Sequence, residues 1–180
     1  MSETENKIVI TRLFEEILNR RKLDMLDDIV AADYIDHYPY PGRPPGPARV
    51  RIQMENLFAA FPDVNYSLED LVAEGELVAV RYILTGTHEG KVMGVEPTGK
   101  HVTVRGMDFF RLSGGLIAEY WECLDKLSLL RQLGAVPERV DDRLEPADIL
   151  RRDGNGDTCS HAESMNCFGS SGNPLNEPIH

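Results

Sequence analysis

Leu116–Gly134 reads LIAEYWECLDKLSLLRQLG, and two periodicities meet inside it. Apolar and polar residues alternate as far as Leu124, the spacing of a half-buried strand. Leu127, Leu130 and Leu133 then recur at three-residue steps and stop at Gly134, which predicts a short closing helix. Glu119, Glu122 and Asp125 interrupt this otherwise core-forming segment. A carboxylate on the covered face of a strand is costly unless it is paired or used. The direction in which Glu122 points is therefore the question that the stretch poses.

Upstream, alternation predicts three more strands, Tyr66–Ala73, Leu77–Gly86 and His101–Leu112. Glu74-Gly75-Glu76 and Ser113-Gly114-Gly115 are tight hairpin connections. The glycine-rich excursion HEGKVMGVEPTGK (88–100) separates the second and third strands. It fits neither the phosphate-loop nor the dinucleotide pattern.

Nearer the N-terminus the period is helical. Ser2 and Glu5 have the spacing of a capping box, and Ile10, Leu13, Phe14, Ile17 and Leu18 mark one buried helix face. A second short helix is expected over 23–30, with Leu26, Ile29 and Val30 inward. AADYIDHYPYPGRPPGP (31–47) is read as an ordered loop or lid because its prolines forbid a regular helix. Pro47 suits the first turn of a third helix, whose stripe is Val50, Met54, Leu57, Phe58 and Phe61. Helices followed by antiparallel strands make an α+β layout. A curved sheet with three helices over its concave face leaves a cone, and a small-molecule pocket is its natural consequence.

Residues 1–134 form this expected domain, and 135–180, rich in Asp, Asn, Gly, Ser and Pro, read as a mobile polar tail with one helical turn around 146–152. In the tail, Asp153-Gly-Asn155-Gly-Asp157 starts like a calcium loop. It has Thr158 where that loop needs glycine and Ser164 where it needs glutamate. Cys159, His161 and Cys167 make a poor metal set, no short His-Glu-x-x-His spacing occurs, and no metal is expected. Cys123 lies mid-strand beside no base, and no Gly-x-Ser-x-Gly elbow exists, which disfavours nucleophilic catalysis.

Composition narrows the partners. Across 180 residues the formal net charge is −11, which opposes binding to nucleic acid. The polar start MSETENK and the lack of a long apolar run oppose export and membrane insertion. Three cysteines give no even disulfide framework. A cytoplasmic protein is expected.

Within the strand pair that ends the domain, Gly106, Asp108 and Phe110 share one face with Ala118, Tyr120 and Glu122; Met107, Phe109, Trp121 and Cys123 take the other. Both faces carry aromatics, so periodicity leaves the inward face open. If Asp108 and Glu122 point inward, with Asp36 arriving from the loop, like charges raise at least one pKa toward neutrality. Such a group can move a proton next to a carbonyl. Otherwise the two carboxylates pair with Arg81, Arg105 or Arg111, or face water. His37 and His88 adjoin loops at the expected mouth, where either would donate to a substrate oxygen.

The runs DYIDHYPYPGRPPGP, FPDVNYSLEDLVAEGELVAVRY, TGTHEG, GVEPTGK and IAEYWECLDKLSLLRQLG occur in order, and together they resemble the SnoaL-like polyketide cyclase (ester cyclase) family of the NTF2-like superfamily. The resemblance implies a cone built on a curved antiparallel sheet, a homodimer through that sheet, and Tyr120 and Glu122 facing inward. It implies closure of an aromatic polyketide ester ring by aldol chemistry without metal or cofactor. The acid/base of that family is an aspartate on the last strand, and the alignment puts Glu122 there. A pocket histidine of the family is replaced by Asp108, a glutamine by Gly106, a second histidine by Tyr120, and an asparagine near the mouth by Asp36.

The expected function is cofactor-free acid/base chemistry on a hydrophobic carbonyl-containing small molecule. Glu122 would act as base, with Asp108 orienting or sharing the proton. Asp36, His37, His88, Tyr120 and Phe110 would bind the substrate. Two alternatives stand beside it: a non-catalytic binding protein using the same cup, and an epoxide-hydrolase-like enzyme using Asp36, Asp108 and Arg81 or Arg105.

Overall fold

Two hydrogen bonds start the chain: the Glu5 amide donates to Ser2 Oγ at 3.3 Å and the Ser2 amide to Glu5 Oε2 at 2.7 Å. This capping box satisfies donors that the first helical turn leaves unpaired. The computed structural model describes residues 2–38 and 44–137. Helix α1 (Glu3–Arg12) runs on into a π-helical segment, Leu13–Asn19, whose buried residues are Leu13, Phe14, Ile17 and Leu18. Those four are spaced by one, three and one, so a wound segment of either pitch keeps them on one side. A 3-10 turn (Leu23–Met25) and the single-turn helix α2 (Leu26–Ile29) follow, burying Leu26 and Ile29.

The next element corrects the loop expected at 31–47. Val30–Asp36 is a strand, β1, that pairs in parallel with the last strand, β5 (Leu116–Leu124), through Ile35 opposite Glu119 and Asp36 opposite Tyr120. The prolines that argued against helix begin only after it ends. Polar Asp33 and Asp36 hid the alternation that places Tyr34 and Asp36 on the covered side. Helix α3 (Pro47–Ala60) starts at its proline as expected; Met54 and the following Phe61 are buried, while Val50, Leu57 and Phe58 are half-buried.

Strands β2 (Asn65–Glu74), β3 (Leu77–Thr87) and β4 (His101–Ser113) complete a five-stranded sheet in the order β1-β5-β4-β3-β2. All pairings but β1–β5 are antiparallel. Alternation in β3 and β4 is strict: Val78, Val80, Tyr82 and Leu84 are buried, as are Val102, Val104, Asp108 and Phe110. In β5 it is broken once. Ile117 and Glu119 oppose the consecutive residues Leu112 and Arg111, so Ala118 is the extra residue of a bulge. Ile117 is therefore buried, and Ala118 joins Glu119 in a groove on the outer face. Strict alternation had put Ala118 inside.

The closing helix α4 (Lys126–Leu133) is present, capped by Asp125 accepting from the Ser128 amide at 2.9 Å. It ends at Gly134, whose φ of 82° suits only a residue without a side chain. Its inward residues are Leu129 and Leu133, at i and i+4, whereas Leu127 is exposed. The three-residue step misassigned that face because 3.6 residues per turn carries Leu127 round to solvent. The expected tail from 138 onward, with its calcium-like loop and Cys159, His161 and Cys167, lies outside the described residues.

Candidate acid/base cavity

The inner faces of the strands, the π-helical segment and α3 enclose a cavity of about 330 Å³. Its wall is mostly apolar, from residues such as Phe14, Met54, Leu57 and Phe110, and it includes both Asp108 and Glu122. These two carboxylates sit directly opposite one another on β4 and β5.

Their environments differ. Asp108 is only 3% exposed. Its oxygens accept from two tyrosines: Tyr120 Oη donates to Oδ2 at 3.1 Å and Tyr82 Oη to Oδ1 at 3.4 Å. Burial, then the charge of Glu122, push the Asp108 pKa up to about 7, against the hydrogen bonds from Tyr120, the Cys123 amide and Tyr82. Neutral donors do not repay a carboxylate for lost water as a cation would. Glu122 has such a cation: Lys126, four residues on at the start of α4, places Nζ 2.6 Å from Oε2. Neither Arg81, Arg105 nor Arg111 is its partner in these contacts. Arg81 binds Glu69 and Asp70, Arg111 binds Glu119, and Arg105 is exposed.

Four tyrosines line the cavity, and three of them, Tyr34, Tyr66 and Tyr82, were not singled out from the sequence. Burial first, then the charge of Asp108, raise the pKa of Tyr66, Tyr82 and Tyr120 far above the usual phenol range. For Tyr34 burial and then Asp36 do the same. All four stay protonated hydroxyls at any working pH, so they are hydrogen-bond donors. Their signal was available: Tyr82 alternates in register with Val80 and Leu84, and Gly106 opposite it marks a close approach.

The cavity brings together Glu122, Asp108, Tyr120 and Phe110. It does not bring in the other three expected residues. Asp36 is buried but is not in the wall; it pairs with Arg49 at 3.5 Å and accepts from the Tyr38 amide at 2.8 Å. His37 is on the outer face, stacked on Trp121 with ring centroids 4.3 Å apart, and hydrogen-bonded to Glu119 at 2.9 Å. Alternation explains the error: His37 follows inward Asp36. His88 is fully buried, but as an anchor for the 88–100 excursion, where Nδ1 accepts from the Thr98 amide at 3.2 Å and the ring packs on Phe61. The tip of that excursion, Lys91, Val92 and Met93, does reach the cavity. The Asp-Arg-Asp row of the hydrolase alternative is not assembled around Arg81 or Arg105, which lie on the opposite side of the sheet. Among the described residues no cluster of three or more His, Cys, Asp or Glu is placed to hold a metal ion.

Residues 8–133, well over half of the chain, match the family described as SnoaL-like polyketide cyclase. The chain belongs to that family. Among solved structures, this SnoaL-like chain is similar to TsrD from Streptomyces laurentii at 26% identity, covering 76% of this chain and 99% of that one, with a TM-score of 0.70. IdmH from Streptomyces antibioticus, named as a proposed polyketide cyclase, shares 31% identity over 72% of this chain and 98% of its own, with a TM-score of 0.62. AclR from Streptomyces galilaeus, named as a proposed hydroxylase, shares 28% over 76% and 100%, with a TM-score of 0.66. A comparison with curated protein sequences finds no match. The SnoaL-like membership places the chain among NTF2-like proteins that process small molecules. These neighbours are named for different reactions, so the reaction must be argued from the side chains. No helix among the described residues is long and apolar enough to cross a membrane.

Proposed function

We propose that the protein is an acid/base enzyme acting on a hydrophobic carbonyl compound, of the aldol-type cyclase or isomerase class, and that Asp108 moves the proton. The observation that carries this is a carboxyl 3% exposed in the wall of a largely apolar cavity, opposite Glu122; burial and that neighbour push its pKa up to about 7. A base is most effective when its pKa lies near the working pH. Asp108, ionised, takes a proton alpha to the carbonyl; the hydroxyls of Tyr34 and Tyr66, the two cavity tyrosines that do not donate to Asp108, receive the charge that builds on oxygen, and the protonated carboxyl returns the proton. Glu122, held by Lys126, supplies the like charge that keeps Asp108 poised. This exchanges the roles that the family alignment suggested, in which Glu122 was base and Asp108 its helper.

The proposal extends to setting. The enzyme acts in the cytoplasm as a homodimer, docking through the outer sheet face, where Met107 is 56% and Phe109 51% exposed.

Alpha-deuterium exchange of 2-tetralone, a hydrophobic ketone small enough for the cavity, tests the chemistry by proton NMR in heavy water. Exchange is expected to rise with pH through about 7. Asp108→Asn is expected to lower it by about 100- to 10,000-fold. Glu122→Gln is expected to retain exchange and move the inflection to lower pH, since it removes a like charge. Abolition by Glu122→Gln with activity surviving in Asp108→Asn would return the base to Glu122.

A further inference from the structure

Tyr82 has an unusual seat. Directly across from Asp108 on β3 is Val80; Tyr82 stands opposite Gly106, two residues away, and is only a diagonal neighbour. Diagonal positions on adjacent strands are about 7–8 Å apart, a span that only a long side chain crosses. Tyr82 crosses it by lying over the bare backbone of Gly106. A Cβ at position 106 would be 2.2 Å from Cζ and 2.4 Å from Oη of Tyr82, far inside contact distance. Any side chain there would evict the hydroxyl end of the ring. Neighbouring aromatics hold the ring's other contacts, with Phe14 and Tyr66 centroids each 5.4 Å from it.

The result is a carboxyl gripped from both sides. Tyr120 reaches Oδ2 from β5, and Tyr82 reaches Oδ1 from β3. The Cys123 amide also donates to this carboxyl, from β5 like Tyr120. Tyr82 is thus the one donor from β3, and with a hydroxyl on each oxygen the carboxyl plane is held from both neighbouring strands.

We propose that Tyr82 is a positioning residue for Asp108, admitted by the absent side chain of Gly106, which fixes the carboxyl plane and favours its ionised form. The inference rests on the acid/base reading of the same cavity. Its logic is local. A hydroxyl donates to the carboxylate and can turn to accept from the protonated acid. It therefore follows the proton without losing its own, while the loss of either hydroxyl makes ionisation harder. At 3.4 Å the Tyr82 bond is the slack member beside Tyr120 at 3.1 Å, so it is the one that yields when Asp108 is protonated. The other titratable groups whose charge or hydroxyl is felt here are Glu122 and Tyr120 on β5, Tyr66 on β2 and Tyr34 on β1, with Lys126 on α4 held at Glu122.

The test uses the full chain with carbon-13 in aspartate carboxyls, the Asp108 resonance being assigned by its disappearance in Asp108→Asn. Without ligand, Tyr82→Phe is expected to move the Asp108 titration midpoint up by about half a pH unit, the value of one weak hydrogen bond. In 2-tetralone exchange the same variant is expected to show kcat several-fold lower, KM little changed, and the pH inflection shifted with the midpoint. Gly106→Ala is expected to do the same by displacing the ring; since it also crowds the core, Tyr82→Phe decides. A midpoint left in place in folded Tyr82→Phe, or moved down, overturns the inference. That outcome differs from failure of the acid/base reading, which is full exchange in Asp108→Asn.

Discussion

Asp108 and Glu119 lie on neighbouring strands of one sheet and face opposite ways. Glu119, on the outer face, accepts from His37 Nε2 at 2.9 Å and from Arg111 Nε at 2.8 Å. The hydrogen bond from His37, then that from Arg111, hold its carboxyl below the usual carboxylate range. Asp108 also accepts two side-chain hydrogen bonds, but from neutral hydroxyls and away from water, and its carboxyl is pushed up. Equal numbers of side-chain partners, with the Cys123 amide added at Asp108, thus accompany opposite shifts. What decides is burial and the charge of Glu122 at Asp108, against the Arg111 guanidinium and nearby water at Glu119. Successive side chains along a strand face opposite ways, so one face of the sheet holds a surface ion pair and the other a buried carboxyl pushed toward neutrality.

The widest separation between the faces is expected from two consecutive phenylalanines of β4. Phe110 is buried and packs against Tyr120 with centroids 5.1 Å apart, whereas Phe109 is 51% exposed. Phe110→Ala is expected to cost about 3–5 kcal/mol in urea unfolding. Phe109→Ala is expected to change monomer stability by less than about 0.5 kcal/mol. Its effect should be seen instead in light scattering, as a shift of the proposed homodimer toward monomer. Equal losses of stability would mean that the outer face is itself core; an unchanged molar mass would remove Phe109 from the dimer contact.

A second separation lies in the pH dependence of stability. The folded protein holds the Asp108 proton up to about 7, while an unfolded aspartate loses it near its ordinary value of 3.8. Between those values the native state binds the extra proton, so stability falls as pH rises and is level above about 7. The full excursion is at most about 4 kcal/mol, from roughly 1.4 kcal/mol per pH unit. Asp108→Asn should abolish this slope and leave a protein that is more stable than wild type at pH 8, relative to their difference at pH 4, while unable to exchange the ketone. A wild-type profile in which this residue contributes no slope would place the carboxyl in contact with water. Stability surrendered at a working group is the usual cost of a poised site.

Much of this contrast was legible beforehand, for different reasons in different places. Helix ends and hairpins were readable because their signals are local: a serine three residues before a glutamate, a proline at a first turn, turn glycines between alternating runs. The pairing of Asp108 with Glu122 on one face followed from counting by two. Which face was inside did not follow, because Met107, Phe109 and Trp121 made the outer face look as apolar as the inner one. β1 was hidden by its own polar residues and by the prolines after it. Ala118 was misplaced because a bulge leaves no mark in single-sequence alternation. Tyr82 was missed because its importance lies in what it crosses: Gly106, a residue 24 positions later in the sequence. His37 was expected at the mouth because it was read as part of a loop; it directly follows a strand, whose geometry sends successive side chains to opposite faces.

The smallest expected effect sharpens the comparison from the outside. In Glu119→Gln the outer carboxylate loses its charge but keeps an acceptor for His37 and Arg111. Because its folded pKa is lowered, Glu119 contributes stability that is present above the unfolded value of 4.5 and lost as pH falls through the folded one. The sign is opposite to that of Asp108. At pH 7 the substitution is expected to lower Tm only slightly, since exposed ion pairs are screened and pay for their own ordering, and 0.5 M salt should reduce even that difference. The acid limb of the stability profile should flatten in the variant, with 2-tetralone exchange unchanged. Should exchange fall instead, with the Asp108 midpoint displaced, the two faces would be electrically coupled through the sheet, and the alternation that separates them would no longer be a sufficient account of why one carboxyl is poised and the other is not.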